Sequence, residues 1–502
     1  MEMNEKTRIR LRFSSIVNYS AMVYRMLVAI GFIVVVARRL SVGEFGLWGI
    51  VWSTSLMLAS LTGLWVFWAQ RFIARGIKGV FGTSLLLCLA YCVIGGTIYV
   101  GIALLEEMIL GWGLWYMLWG LPLFWLNVLG NLVSGISAVV KPEVIGFRGF
   151  IYETLRLIFA FVFVVVLGWG LLGAIISVEL ALLVSVVYGF VVLWGTRVID
   201  FNVSRSLIVE WFKGFYVPLL NVIYGFLRSG IRVVVSWATG SEVPVAYLNV
   251  GFASQAPIVS AAGAATPALY ARVLRKGGGG DVEEVLRIFF LLNGFMVSMF
   301  IFLSRSIASL YNPLYVDAWI IIVVISMYAF INGLMNIFVT VAIGASRVDE
   351  EGVLLHREVF SSYLFRAPLM RLVSLLVSYG VGLGLVFFLR GDHLLEALAF
   401  ALGLLIGIVV FLYWFYRIAN QSIPFKLPLR EIGIAVIAGL AMGLYYIVSN
   451  AYNIVIHRFW DDAPWLGLHV LVAGAIYFTI WYLLSPWFKG ILKSGLRLIY
   501  GR

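Results

Sequence analysis

Apolar stretches of about twenty residues, the length a helix needs to cross roughly 30 Å of hydrocarbon, recur from one end of the chain to the other. Short polar connections separate them. The pattern predicts about fourteen spans. The first six lie near 14–37, 45–70, 80–104, 112–139, 149–167 and 170–194. The next six lie near 214–237, 245–270, 286–303, 317–345, 360–389 and 394–416. Two more lie near 431–449 and 463–485. Ten-residue alternating segments are absent, which excludes a membrane β-barrel. β-Branched runs such as Ile33 to Val36 read as helix, because an open strand edge in lipid is prohibitive.

The expected fold is therefore an all-α membrane protein. An echo at an offset of about 200 residues divides it. Ile33 to Trp48 and Val233 to Leu248 each pair a β-branched helix end with a short turn carrying a glycine and an acid, and then a new helix. A basic loop follows the next span in each case, Arg71 to Lys78 and Arg272 to Lys276. Internal repeats of this kind mark transporters. The echo predicts two pseudo-symmetric six-helix lobes, 1–195 and 214–418, joined by a linker at 196–213, with two additional helices and a tail at 419–502.

Composition removes the soluble alternatives. The chain is 63% hydrophobic and 12% charged, against about 45–50% and 25% in soluble domains. The net charge of +12 does not point to nucleic acid, because the basic residues flank apolar spans. With the N-terminus inside, 25 Lys and Arg fall in inner segments, Arg148 among them, and 5 in outer loops. That alternation places both termini in the cytoplasm of a multi-pass cell-membrane protein. The first span is too long for a signal peptide and reads as a retained anchor. Cys88 and Cys92 read as small packing residues. The four histidines lack ligand spacing, so no metal site and no cofactor is expected. Gly277 to Gly280 carry no phosphate-loop lysine, so no nucleotide site is expected either.

Six arginines remain inside spans: Arg25, Arg156, Arg228, Arg232, Arg366 and Arg371. Each costs roughly 2.5–3.5 kcal/mol at mid-helix on insertion scales, so partners, water or a function must retain it. Glu153 and Arg156 are three apart on one helix face and can form an intramembrane ion pair. Glu179 can serve another arginine. Arg366 lies near a span end and can snorkel. Arg25, Arg228, Arg232 and Arg371 are left as substrate-binding candidates. The 200-residue frame brings position 228 within one turn of Arg25, so the two repeats would aim arginines at one cavity. A guanidinium holds phosphate oxygens bidentately and stays charged in a partly dry site.

Ala37-Arg-Arg-Leu-Ser-Val-Gly-Glu-Phe-Gly-Leu-Trp48 resembles the first outer loop of the multidrug/oligosaccharidyl-lipid/polysaccharide (MOP) exporter superfamily, in its polysaccharide and lipid-linked oligosaccharide flippase branch. Leu310-Tyr-Asn-Pro-Leu-Tyr-Val-Asp-Ala-Trp319 is similar to a second family pattern, with Asn312 where glycine is usual. The resemblance implies MATE-like lobes around a central cavity, alternating access and two extra C-terminal helices. It also implies a cavity role for Arg25, because related lipid II flippases place first-helix arginines there. The expected activity is translocation of a polyprenyl phosphate- or diphosphate-linked oligosaccharide for polysaccharide or glycoconjugate synthesis. Its partners would be that lipid, the membrane and glycosyltransferases of the same pathway. A multidrug or organic-cation exporter of the same superfamily is the alternative, although a cationic cavity would repel such substrates. A membrane glycosyltransferase or polymerase would need an acid–base constellation in a sizeable outer loop, and the outer loops are short.

Overall fold

The structure, a computed structural model, describes residues 24–25, 28–196, 198–274, 278–346 and 362–500, apart from the side chains at 261–268, 270–271, 274 and 494–500. Much of the first expected span, and the basic residues Lys6, Arg8, Arg10, Arg12, Arg197, Arg275, Lys276, Arg347, Arg357 and Arg502, lie outside it. The described residues are all-helical, with no strand. They form α1 (28–39), α2 (Val42–Ala59), α3 (Gly63–Ala74), α4 (Val80–Leu110), α5 (Leu114–Trp119), α6 (Leu121–Val140) and α7 (Glu143–Ala160). Next come α8 (Gly170–Trp194), α9 (Arg205–Lys213), α10 (Tyr216–Ser229), α11 (Ile231–Thr239), α12 (Val243–Leu274) and α13 (Gly279–Phe302). The rest are α14 (Ser304–Tyr311), α15 (Trp319–Ala345), α16 (Tyr363–Phe388), α17 (His393–Ser422), α18 (Leu429–Val448), α19 (Phe459–Leu484) and α20 (Pro486–Tyr500).

Eleven helical spans among the described residues are long and apolar enough to cross a membrane, or up to twelve if a bent pair counts as one. The expected fourteen is not reached there. One reason is the span expected at 214–237, which is broken. α10 stops at Ser229 and α11 restarts at Ile231. The intervening Gly230 leaves room for Met57, whose Sδ would lie 2.5 Å from a Cβ at that position. The Ser53 hydroxyl donates to the Ser229 carbonyl, satisfying an acceptor that the break would otherwise leave bare in an apolar medium.

Two compact units make up the chain. The first comprises residues 1–249, 371–376 and 383–400. Its second helix starts with a capping box: Glu44 N donates to Ser41 Oγ at 3.3 Å, and Ser41 N donates back to the Glu44 carboxylate at 2.9 Å. Two orphan donors of the helix start are thereby satisfied. α4 begins after Gly79 and ends at Gly111, both in the left-handed region at φ 76° and 74°, where glycine carries no Cβ penalty. α9 lies across the unit and buries Leu207 and Trp211, one turn apart, against Ala69, Phe72 and Val80. Its Arg205, Glu210 and Lys213 stay exposed, and the chain then turns by 75° into α10. The segment before α9 is docked on α4. Gly82 N donates to the Asp200 carbonyl at 2.9 Å, Gly79 N to the Asp200 carboxylate at 3.2 Å, and Ser204 N to Thr83 Oγ1 at 3.0 Å.

The second unit comprises residues 250–370, 377–382 and 401–502. Small residues set its helix crossings. Gly439 and Gly443 of α18 lie on Ser298 and Phe302 of α13, and Gly403 and Gly407 of α17 lie on Gly382 and Ser378 of α16. Both are Gly-xxx-Gly pairs, which let backbones approach and gain the dispersion contacts that drive helix association in lipid. α19 joins through Tyr477, whose hydroxyl donates to the Leu291 carbonyl at 3.1 Å. The Ser306 hydroxyl bonds the Ala451 carbonyl at 2.9 Å, fixing α14 to the connection between α18 and α19.

Candidate functional site

Tyr224 and Arg228 lie one turn apart on α10 and therefore on one face. Arg228 Nη1 donates to the Tyr224 hydroxyl at 3.2 Å. From α16, Arg371 stacks over the same ring, its guanidinium carbon 4.1 Å from the centroid. The phenol is buried, while both arginines are half-buried. The negative face of the ring attracts one cation and its oxygen accepts from the other. Arg371 Nε has no hydrogen-bond partner among the described residues. Two guanidinium groups thus contact one phenol, an arrangement suited to an anion with several oxygens. Tyr224 was not among the residues singled out from sequence; its signal was the four-residue spacing to Arg228.

Arg232 is also four residues from Arg228, but the break at Gly230 puts it on a different helix with a different partner. Its Nε donates to Asn249 Oδ1. Arg25 lies against Gly149 of α7, and Tyr24 beside it bonds the Thr154 hydroxyl at 2.7 Å. The structure therefore brings Arg228 and Arg371 together and places Arg25 on α7 and Arg232 on Asn249.

Glu153 and Arg156 form a buried ion pair on α7. Arg156 also stacks on Phe32 of α1, with its guanidinium carbon 4.2 Å from the centroid. Each buried charge thus has an opposite charge, which a charge in a low-dielectric interior requires.

Arg148 differs from its sequence reading. It was counted with the inner loops, but α7 starts at Glu143 and carries it inward, leaving it 6% exposed. Its guanidinium donates to the Ser185 carbonyl at 3.1 Å, the Gly130 carbonyl at 3.2 Å and the Ser134 hydroxyl at 2.7 Å. Glu106 is a second buried charge-bearing group that sequence reading missed. The Ser236 hydroxyl of α11 reaches both its oxygens, at 3.1 and 3.2 Å. Glu179 is buried with one carboxylate oxygen unpartnered, and it forms no ion pair with an arginine among the described residues. No group of three or more His, Cys, Asp or Glu that could hold a metal occurs among the described residues.

The same all-α fold is found in solved structures of membrane proteins. The chain is similar to the lipid II flippase MurJ in an inward closed conformation, with a TM-score of 0.62 and 12% identity over 94% of this chain and 99% of that one. It is similar to an inward-facing multidrug resistance MATE family transporter of the MOP superfamily, with a TM-score of 0.56 and 16% identity over 81% of this chain and 98% of that one. An outward-facing transporter of the same description gives a TM-score of 0.55 and 18% identity over 82% and 96%. At these identities the likeness is one of fold: the chain shares the fold of these solved transporters. No family model matches the sequence. No curated protein matches it.

Proposed function

We propose that the protein is a flippase that carries a polyprenyl phosphate- or diphosphate-linked oligosaccharide across the cell membrane by alternating access. The observation that carries this reading is the pair Arg228 and Arg371 on Tyr224. Two cations so close repel each other, and a phosphate bridging them relieves that repulsion with charge-assisted hydrogen bonds. Arg25, exposed on the first described helical segment, is proposed to attract the same head group along its path. Arg232, fixed by Asn249, is proposed to hold the site's outline and its positive potential. Alternating access would proceed between lobes 1–195 and 214–418, with both termini in the cytoplasm. Glycosyltransferases of the same pathway would supply the cargo.

Moving a sugar phosphate through hydrocarbon unaided is slow, because each unpaired buried polar group costs several kcal/mol. A hydrated, cationic path removes most of that barrier.

Fold likeness supports a multidrug exporter equally, since drug transporters share this fold. The arginine pair separates the two readings: it favours an anionic head and disfavours an organic cation. The deciding experiment is reconstitution into vesicles with a fluorescent lipid-linked oligosaccharide on one leaflet or an organic cation in the lumen. Flipping of the lipid without export of the cation supports the proposal. Export of the cation without flipping replaces it with the second reading.

A further inference from the structure

A cavity of ≈ 290 Å³ opens within the first unit where α3 faces α6, lined by Ser60, Thr62, Gln70, Asn131 and Ser134 among others. It lies at a backbone irregularity: residues Ser60–Thr62 form a single 3-10 turn between α2 and α3. At membrane depth, irregular backbone and unspent polar groups are tolerated where they line a cavity, not where they face lipid. Asn131, exposed in mid-α6, meets that condition. Its amide nitrogen donates to the Ala59 carbonyl at 3.0 Å and to Thr62 Oγ1 at 3.1 Å, which bridges the break and spends both its hydrogens.

The unspent groups define a ligand. Asn131 Oδ1 remains an acceptor. Gln70 makes no hydrogen bond among the described residues, so its carbonyl and both amide hydrogens are available. Ser134 accepts from Arg148 at 2.7 Å, which leaves its own hydrogen to donate. Ser60 donates to the Met57 carbonyl at 2.6 Å, which leaves its oxygen to accept. Among the described residues no ionised side chain lines the cavity, and the nearby Arg148 guanidinium is bonded to Ser134. Mixed donors and acceptors without net charge fit vicinal hydroxyl groups, each of which both donates and accepts. A phosphate would lack an exposed cation here, and an apolar drug would leave the amides unpaired.

The cavity borders α10, the helix that carries Tyr224 and Arg228. Ser60 packs against Gly225, where an added Cβ would lie 3.7 Å from the Ser60 Cβ, and Gly225 sits between Tyr224 and Arg228 on α10. We propose that this cavity is the subsite for the first sugar of the translocated lipid, with Gln70, Asn131 and Ser134 reading its hydroxyls while Arg228 and Arg371 hold the phosphate. The proposal rests on the flippase reading above and adds a neutral sugar subsite to it.

The test is binding by the full chain in nanodiscs to three probes: a polyprenol, its monophosphate, and the same monophosphate carrying one hexose. The wild type is expected to bind the hexose-bearing lipid roughly tenfold more tightly than the bare phosphate, the effect of one or two hydrogen bonds. Gln70→Leu removes groups that hold nothing in the protein, so it keeps the fold. It is expected to abolish most of that preference and leave bare-phosphate affinity unchanged, and Ser134→Ala is expected to act in the same direction. Equal wild-type affinity for both phosphates overturns the subsite and spares the phosphate clamp. So does a Gln70→Leu variant that retains the full preference. A bare phosphate bound no better than the polyprenol overturns the flippase reading itself.

Discussion

Asn249 donates its side-chain amide to the backbone carbonyl of Phe45 at 2.9 Å, while its oxygen receives Arg232. One residue at the start of α12 thus ties α2 to an arginine of α11. The contact needs close backbone approach, and Gly46 and Gly49 of α2 provide it: a Cβ at either would run into Glu242 or Asn249.

That closeness gives a stability prediction. Gly46→Ala would press on the Glu242 carbonyl, a backbone atom that cannot swing away, and overpacking of this kind costs about 1–3 kcal/mol. Gly101 of α4 has open space around its Cβ position. Thermal unfolding in detergent should show a lower midpoint for Gly46→Ala and none for Gly101→Ala, where alanine is the better helix former. Equal midpoints would mean that α2 and the start of α12 do not cross this closely.

The segment before α9 should loosen when Asp200 is removed. Hydrogen bonds from the Asn202 backbone, and then from the Gly79 backbone, hold the Asp200 carboxyl below the usual carboxylate range. A depressed value means that the contribution is fully present above the unfolded value, near 3.9, and is lost as pH falls through the lower folded value. Docking should therefore be insensitive to pH from neutrality down to mild acid. Asp200→Ala should raise hydrogen exchange at the Gly79 and Gly82 amides at every pH tested. Unchanged exchange there would show that the carboxylate does not hold the segment.

The proposed orientation is open to labelling. Cysteines placed at exposed Arg39, Leu314 and Arg458, in a chain with Cys88 and Cys92 replaced, should react with an impermeant reagent in intact cells. Cysteines at exposed Arg205 and Lys213 should react only after the cells are opened. The reverse pattern would invert the topology.

Helices were legible in the sequence because lipid leaves the chain little choice: a run of apolar residues long enough to cross must close its own backbone bonds. The break at Gly230 was not, since it depends on Met57 reaching α10 from another helix. The charged residues divided the same way. Glu153 and Arg156 are local in sequence, and their pairing follows from helical spacing. The meeting of Arg371 with Tyr224 needs the tertiary fold. Arg148 was misplaced because helix ends are blurred by a few residues, and a shift from 149 to Glu143 carries a loop cation into the interior.

The central claim, a guanidinium pair that holds a lipid phosphate, is tested most directly by the flipping rate of a fluorescent polyprenyl-phosphate oligosaccharide in vesicles containing the Arg228→Ala, Arg371→Ala double variant. Losing charge-assisted hydrogen bonds from both groups should slow flipping roughly 10- to 100-fold or more. Lysine at both positions should restore it in part, because it keeps the charge and loses the planar fork. Arg39→Ala, at an exposed position, should flip at the wild-type rate. A double alanine variant that inserts normally and flips as fast as the wild type would contradict the phosphate clamp.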